Sequence, residues 1–116
     1  MLKTWRTFVI TMDPDSQRFK LFQENNCHLE CEIFNAIDGK SLDFKNLVSN
    51  GLISAELSLS PLLTKGTAGC AESHRSLWRK SVEEDSGILI LEDDCYTHPG
   101  LKNFIDARLE TLTKID

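Results

Sequence analysis

No stretch of this 116-residue sequence approaches the roughly 20 consecutive apolar residues that span a bilayer. A membrane-spanning helix within it is therefore not expected. Met1 to Met12 carries apolar residues, but Arg6 interrupts what would be the apolar core of a signal peptide, so a cytoplasmic location is expected. Positive charge is also scarce: the net charge is −5 and no basic cluster is longer than Arg79-Lys80. That argues against a nucleic-acid surface, whose affinity comes mainly from neutralising phosphates. The four cysteines, Cys27, Cys31, Cys70 and Cys95, are too scattered for a disulfide framework. Cys27, His28 and Cys31 offer zinc-ligand types, but no second pair at suitable spacing completes a site, and buried or half-buried thiols are expected instead. Internal repeats, low-complexity tracts and linkers are missing too. The expectation is one domain over residues 1–116 with a modest core.

What the sequence does contain is centred on Ile88 to Asp94, where four apolar residues run into Glu92, Asp93 and Asp94. A short apolar run between Gly87 and the turn signal His98-Pro99-Gly100 suits a strand buried on both faces. Open parallel sheets built from such strands bind ligands just beyond their carboxyl ends, where these acids stand. Adjacent carboxylates repel one another, and a hard divalent cation relieves that repulsion. If the segment stays extended, side chains alternate, so Glu92 and Asp94 point one way and Asp93 the other. The competing reading is an acidic turn solvated after a strand.

The remaining elements follow from periodicity. Trp5 to Met12 predicts a first strand centred on Phe8-Val9-Ile10, ending at Asp13-Pro14-Asp15, with Asp15 or Ser16 as the next helix cap. Gln17 to Glu24 predicts an amphipathic helix with Phe19 and Phe22 inward. Cys31 to Ala36 predicts a second strand, which completes the spacing of a βαβ unit, with Gly39 permitting a sharp turn after Asp38. A short helix is expected over Phe44 to Val48, and short helical turns or loop over Leu52 to Leu63. Thr67 is the expected cap of a helix reaching Glu84, frayed at its acidic end, with Cys70, His74, Leu77, Trp78 and Val82 along its buried stripe. A last helix is expected from about Leu101 to Leu112, burying Phe104, Ile105, Leu109 and Leu112. His74 on such a stripe reads more readily as a satisfied core histidine than as a catalyst. Ser73 faces elsewhere on the helix, so the two do not form a nucleophile pair. Arg18 is either a surface residue or, just past the first strand's carboxyl end, a guanidinium placed to meet a phosphate.

Four short motifs stand in register: Phe8-Val9-Ile10 followed by Arg18; Asn35-Ala36-Ile37-Asp38-Gly39; Gly69-Cys70-Ala71-Glu72-Ser73-His74 with Trp78 behind; and Ile90-Leu91-Glu92-Asp93-Asp94. In order and spacing, over about residues 7–100, they resemble the N-terminal half of glycosyltransferase family 25, the lipopolysaccharide-type sugar transferases. The resemblance implies an α/β fold with a Rossmann-like, open and mostly parallel sheet of the GT-A type, truncated to its nucleotide-binding half. It implies an acidic metal motif after a central strand. Asp94, with Glu92, would hold Mn2+ or Mg2+, while Arg18, Asp38, Gly39, Ser73, His74 and Asp93 would serve the donor side. The implied reaction transfers a hexose, galactose or glucose, from a UDP-sugar donor to a saccharide acceptor with inversion, as in lipopolysaccharide or other glycan synthesis. The metal would assist departure of UDP.

Thr67-Ala68 departs from the acid and aliphatic residue that usually precede the Gly-Cys pair in that family. Family domains also continue about as far again beyond the acidic motif, through the acceptor site, general base and further metal ligands. Within Met1 to Asp116 no residue presents itself as the base, so the catalytic residue is unknown. The expectation is a domain fragment, a shortened relative, or a homo-oligomer that completes its site through an uncovered sheet edge. An alternative of another class is a non-catalytic binding or interaction module that keeps the fold. A Mg2+-dependent phosphohydrolase ranks behind both, because only Asp13 and Asp15 lie near the position its nucleophile would need.

Overall fold

The computed structural model describes residues 5–112, and everything below concerns those residues. Strand β1 is Trp5–Thr11, helix α1 Gln17–Asn25, and strand β2 Glu32–Asn35. A single 3-10 turn over Gly39–Ser41 leads to α2 (Phe44–Ser49) and α3 (Ala55–Ser58). The 20-residue helix α4 (Lys65–Glu84), strand β3 (Gly87–Glu92) and helix α5 (Leu101–Leu112) complete the order. The three strands form one parallel sheet in the order β2-β1-β3, with Ile10 beside Phe34 on one flank and Glu92 on the other. The chain is thus an α/β protein of Rossmann-like type.

β1, not β3, is the strand enclosed on both sides. Thr7 through Thr11 are all buried, with Val9 fully so. Along β3 only Leu91 is buried and Ile88, Leu89 and Ile90 are half-buried. β3 is less enclosed than the expected strand buried on both faces, because among the described residues it pairs with β1 alone and stands at an edge of this sheet. An apolar run reports hydrophobic surroundings; it cannot tell how many strands lie beside it.

Side-chain alternation along β1 builds two cores. Val9 meets Phe19 and Phe22 of α1, together with Leu29 and Leu91, while Cys31, Leu89, Cys95 and Leu101 pack around them. Phe8 and Ile10 meet Leu77 of α4 on the opposite face, backed by Phe34, Ala36, Ile88 and Ile90. Helices on both faces of a parallel sheet are the usual solution for strands of this composition.

α4 is rotated relative to the stripe its large apolar residues suggest. It buries Ala68, Gly69, Ser73 and Leu77, whereas Trp78 and Val82 are 59% and 81% exposed. The cause is close approach. A Cβ on Gly69 would stand 2.6 Å from the Ile37 carbonyl oxygen, and one on Gly39 would stand 1.7 Å from the Lys65 carbonyl oxygen. Only small residues fit there, so they take the inner face and the bulky ones face outward. Gly39 therefore serves contact rather than a left-handed turn; the glycine with positive φ is Gly51, after α2.

The helix caps follow local chemistry. Ser16 accepts from the Phe19 amide at α1. Thr64, rather than Thr67, caps α4 by accepting from the Thr67 amide at 3.1 Å. Asp85 closes α4 in the left-handed conformation, with the Ser86 amide returning to the Ser81 carbonyl. The acidic end of α4 is tied down: Glu84 pairs with Lys80 and with Arg6 of β1. On α5, Phe104 is 58% exposed instead of buried, while Ile105 and Leu109 are half-buried. The side chain of Leu112 lies outside the described residues. No helix among those residues is long and apolar enough to cross a membrane.

Candidate functional site

A cleft of about 590 Å³ opens at the carboxyl edge of the sheet, a size in the range of small-molecule sites. Its floor is Ile10 and Thr11 at the end of β1. One wall is the segment after β2, Ala36 to Lys40, and another is the start of α4 at Lys65 and Gly66. Glu92 and Asp93 close it at the end of β3, and Ser16 and Arg18 at the start of α1. α4 thus brings the partial positive charge of a long helix's N-terminus to the cleft.

The acids do not alternate as an extended segment would. β3 ends at Glu92 and the chain turns, with the Cys95 amide returning to the Glu92 carbonyl at 3.0 Å. Asp93 and Asp94 consequently reach the same cation: Arg18 Nε donates to Asp93 Oδ1 at 2.6 Å, and Arg18 Nη2 lies 3.4 Å from Asp94 Oδ2. Asp93 also accepts from Thr11 Oγ1 at 2.8 Å, and its side chain is only 13% exposed. The Asp93 carboxylate, by hydrogen bond first and charge second, holds the Arg18 guanidinium's pKa above its ordinary value. Arg18 is therefore both solvent-facing and part of the cleft.

Glu92 turns instead toward α4. Its Oε1 accepts from Cys70 Sγ at 3.1 Å and lies 3.3 Å from His74 Nε2. The thiol's hydrogen bond, and then the imidazole, hold the Glu92 carboxyl below its ordinary pKa. The same bond, followed by burial, pushes the Cys70 thiol up. Cys70 and Cys27 are exposed and Cys31 and Cys95 half-buried, so the expectation of enclosed thiols holds for only two of the four. His28 does not join Cys27 and Cys31; its Nε2 is bonded to Thr97 Oγ1 at 2.8 Å.

Of the remaining sequence candidates, Asp38 and Gly39 line the cleft, and Asp38 Oδ1 is engaged by the Lys40 amide. Ser73 is fully buried and lies outside the cleft lining. Its hydroxyl accepts from the Ile37 amide at 2.9 Å and donates to the Gly69 carbonyl at 2.8 Å. Ser73 thus fixes a wall residue to α4. His74 reaches the site through Glu92, and its ring meets Trp78 edge-on.

Three residues that matter here carry no strong sequence signal. Lys40 and Lys65 bring two further cations to the cleft beside Arg18. Asn26, only 2% exposed, fastens the segment after the acids to α1. It donates to the Cys95 carbonyl at 3.0 Å and accepts from the Thr97 amide and hydroxyl at 2.9 and 2.6 Å. A second asparagine after a helix reads as an ordinary C-cap, and nothing local announces partners about 70 residues away.

A parallel sheet covered on both faces, with a charged cleft beyond its strand ends, is the Rossmann-like α/β architecture that takes its ligands at the carboxyl edge of the sheet. The chain belongs to glycosyltransferase family 25: the model of that family, described as "Glycosyltransferase family 25 (LPS biosynthesis protein)", matches residues 5–116. A procollagen lysyl hydroxylase and glycosyltransferase of Acanthamoeba polyphaga mimivirus is 32% identical over 93% of this chain. A glycosyltransferase 25 family member of Drosophila melanogaster is 33% identical over 81% of it, and procollagen galactosyltransferase 1 of Danio rerio is 32% identical over 57%. This chain spans 13%, 16% and 12% of the length of those three relatives, respectively.

Proposed function

We propose that this chain forms the donor-binding part of a metal-dependent glycosyltransferase. The donor is a UDP-sugar, the transferred group a hexose, and the acceptor a saccharide or glycan. The procollagen galactosyltransferase among its relatives favours galactose over glucose. The observation that carries this reading is the gathering of three cations and a group of carboxylates, Asp13 and Asp38 among them, around one cleft. Arg18, Lys40 and Lys65 stand with the α4 N-terminus, and Glu92 and Asp93 close the β3 edge. Cations and helix-terminal amides suit the oxygens of a diphosphate. The apolar floor at Ile10, with Ala36 and Ile37 on the wall, suits the flat faces of a nucleoside.

The residues at the edge supply the donor type of a hard divalent ion, and holding one between them requires Glu92 to turn from α4 toward Asp94, which stands beside Arg18 outside the cleft lining. Glu92 and Asp94 have side chains 48% and 62% exposed, and both offer carboxylate oxygens, the donors Mn2+ and Mg2+ prefer. Asp93, engaged on one oxygen by Thr11 and on the other by Arg18, orients Arg18 and keeps it over the cleft. When bound, such an ion supplies charge neutralisation to the diphosphate leaving group. Arg18 can release Asp94, since that contact is long, and turn its free guanidinium nitrogens to a phosphate while Asp93 retains Nε. A catalytic base is not assigned.

Calorimetry with UDP, with and without Mn2+, tests the binding step. Affinity should rise at least about tenfold with Mn2+, and Asp94→Ala should remove that increment. No UDP affinity under either condition would overturn the proposal. Release of UDP from UDP-galactose and UDP-glucose, with saccharide acceptors present, then separates a transferase from a module that binds without turnover.

A further inference from the structure

The side chains of Cys70, His74 and Glu92 bring a thiol, an imidazole and a carboxylate within 4.8 Å of one another. We propose that these three residues form a zinc-selective site at the mouth of the cleft, one that shares Glu92 with the all-oxygen site of the transferase reading but otherwise has its own donors. Its donors belong to α4 and β3 alone, so binding there does not depend on that reading.

The geometry is already close to what the ion needs. Zinc takes thiolate sulfur at about 2.3 Å and imidazole nitrogen or carboxylate oxygen at about 2.0–2.2 Å, so tetrahedral donors sit roughly 3.3–3.7 Å apart. Cys70 Sγ to Glu92 Oε1 is 3.1 Å and His74 Nε2 to Glu92 Oε1 is 3.3 Å. The Nε2–Oε1 edge is therefore at its metal-bound length, the Sγ–Oε1 edge needs to open by a few tenths of an ångström, and all three donors already lie within 4.8 Å of one another. Cys70 and His74 are one helical turn apart, which places both on the same face of α4. Ser73, between them, anchors that helix to the β2 wall, and Trp78 steadies the His74 ring.

Selectivity follows from the donors. A thiolate and an imidazole favour zinc over Mn2+ and Mg2+, and zinc also stands above manganese in general affinity order. Three protein ligands leave a fourth position, and because Cys70 and Glu92 both line the cleft, that position faces it. Binding breaks the Cys70 S–H bond as the S–Zn bond forms, and the proton passes to solvent. The Cys70–Glu92 hydrogen bond is exchanged for two metal bonds. Since Glu92 is shared, zinc there withdraws it from any Mn2+ held with Asp94, which makes zinc an inhibitor of UDP binding.

Cobalt titration of the reduced protein reads this directly. An equimolar addition of Co2+ should produce a thiolate-to-cobalt absorption in the near ultraviolet together with tetrahedral bands in the visible, both erased by Zn2+. Cys70→Ser should abolish the ultraviolet band, and His74→Ala should weaken zinc binding at least about tenfold. Asp94→Asn should leave the spectrum unchanged while losing the Mn2+ effect on UDP, which keeps the two sites separable. Circular dichroism confirms that each variant is folded. The inference is overturned if the wild-type chain shows no thiolate band, or if the band survives Cys70→Ser and disappears on replacing Cys27 and Cys31.

Discussion

Asn26→Ala is expected to destabilise the fold by about 2–4 kcal/mol, given roughly 1–3 kcal/mol for each buried polar group left without a partner. The side chain of Asn26 makes four hydrogen bonds, to the Phe22 and Cys95 carbonyls and from the Thr97 amide and hydroxyl. The Phe22 carbonyl keeps its bond from the Asn26 amide, and the Thr97 hydroxyl can rotate. The buried Thr97 amide has no such recourse and costs the full range, while the carbonyl of half-buried Cys95 adds about 1 kcal/mol, and these two groups carry the estimate. Against a typical domain stability of about 5–15 kcal/mol, that loss is large. For a chain this short it corresponds to a fall in Tm of roughly 10–25 °C. Urea unfolding followed by circular dichroism should show a lower midpoint with an unchanged slope. Because Cys95 and Thr97 directly follow the acidic turn, UDP affinity measured at low temperature should fall as well. A loss below about 1 kcal/mol would refute the accounting, in which Asn26 is the partner of the Thr97 amide and the Cys95 carbonyl among the described residues.

Gly39→Ala places a Cβ 1.7 Å from the Lys65 carbonyl oxygen, a backbone atom that cannot swing aside. The expected cost is about 1–3 kcal/mol, accompanied by weaker UDP binding as α4 moves off the β2 wall; an unchanged Tm would count against the close-packing account. Asp85→Gly relieves a left-handed residue at the α4 C-terminus and should stabilise by about 0.5–1 kcal/mol, read from the urea midpoint. Arg6 bonds Glu32 through Nε and Nη2 and also reaches Glu84. Glu32 is held below its ordinary pKa chiefly by Arg6, and Glu84 by Lys80 and Arg6. Folded-state carboxyls that titrate below their unfolded values contribute stability that is complete above the ordinary carboxylate range and lost as pH falls through the depressed values. The stability gap between wild type and Arg6→Met should therefore be present at neutral pH and shrink toward pH 3; a gap that widens on acidification would contradict this.

Much of the candidate site was legible before the fold was known. Ile10, Asp38-Gly39 and Glu92-Asp93 each stand near the carboxyl end of a strand or in the segment that follows it, and a parallel sheet gathers such segments at one edge. Arg18 joined them because α1 starts where β1 stops. Lys40 and Lys65 did not show, since lone lysines beside polar neighbours look like ordinary solvated surface. The motif points to Ser73 as a support of the donor side, and only packing shows the form of that support: a buried hydroxyl that ties Ile37 of the wall to Gly69 of α4.

By itself the order of residues determined the alternation of strands and helices, the parallel connection between them, and the placing of acids at a strand end. Those properties depend on local period and on chain direction, both of which are written along the sequence. Packing alone decided which strand lies between the others, which face α4 turns inward, and how the acidic turn divides its partners between Arg18 and the Cys70–His74 pair. Each of these depends on how near two distant backbones can come. At Gly39 and Gly69 the approach is close enough to rotate α4, and with it the donors that meet Glu92.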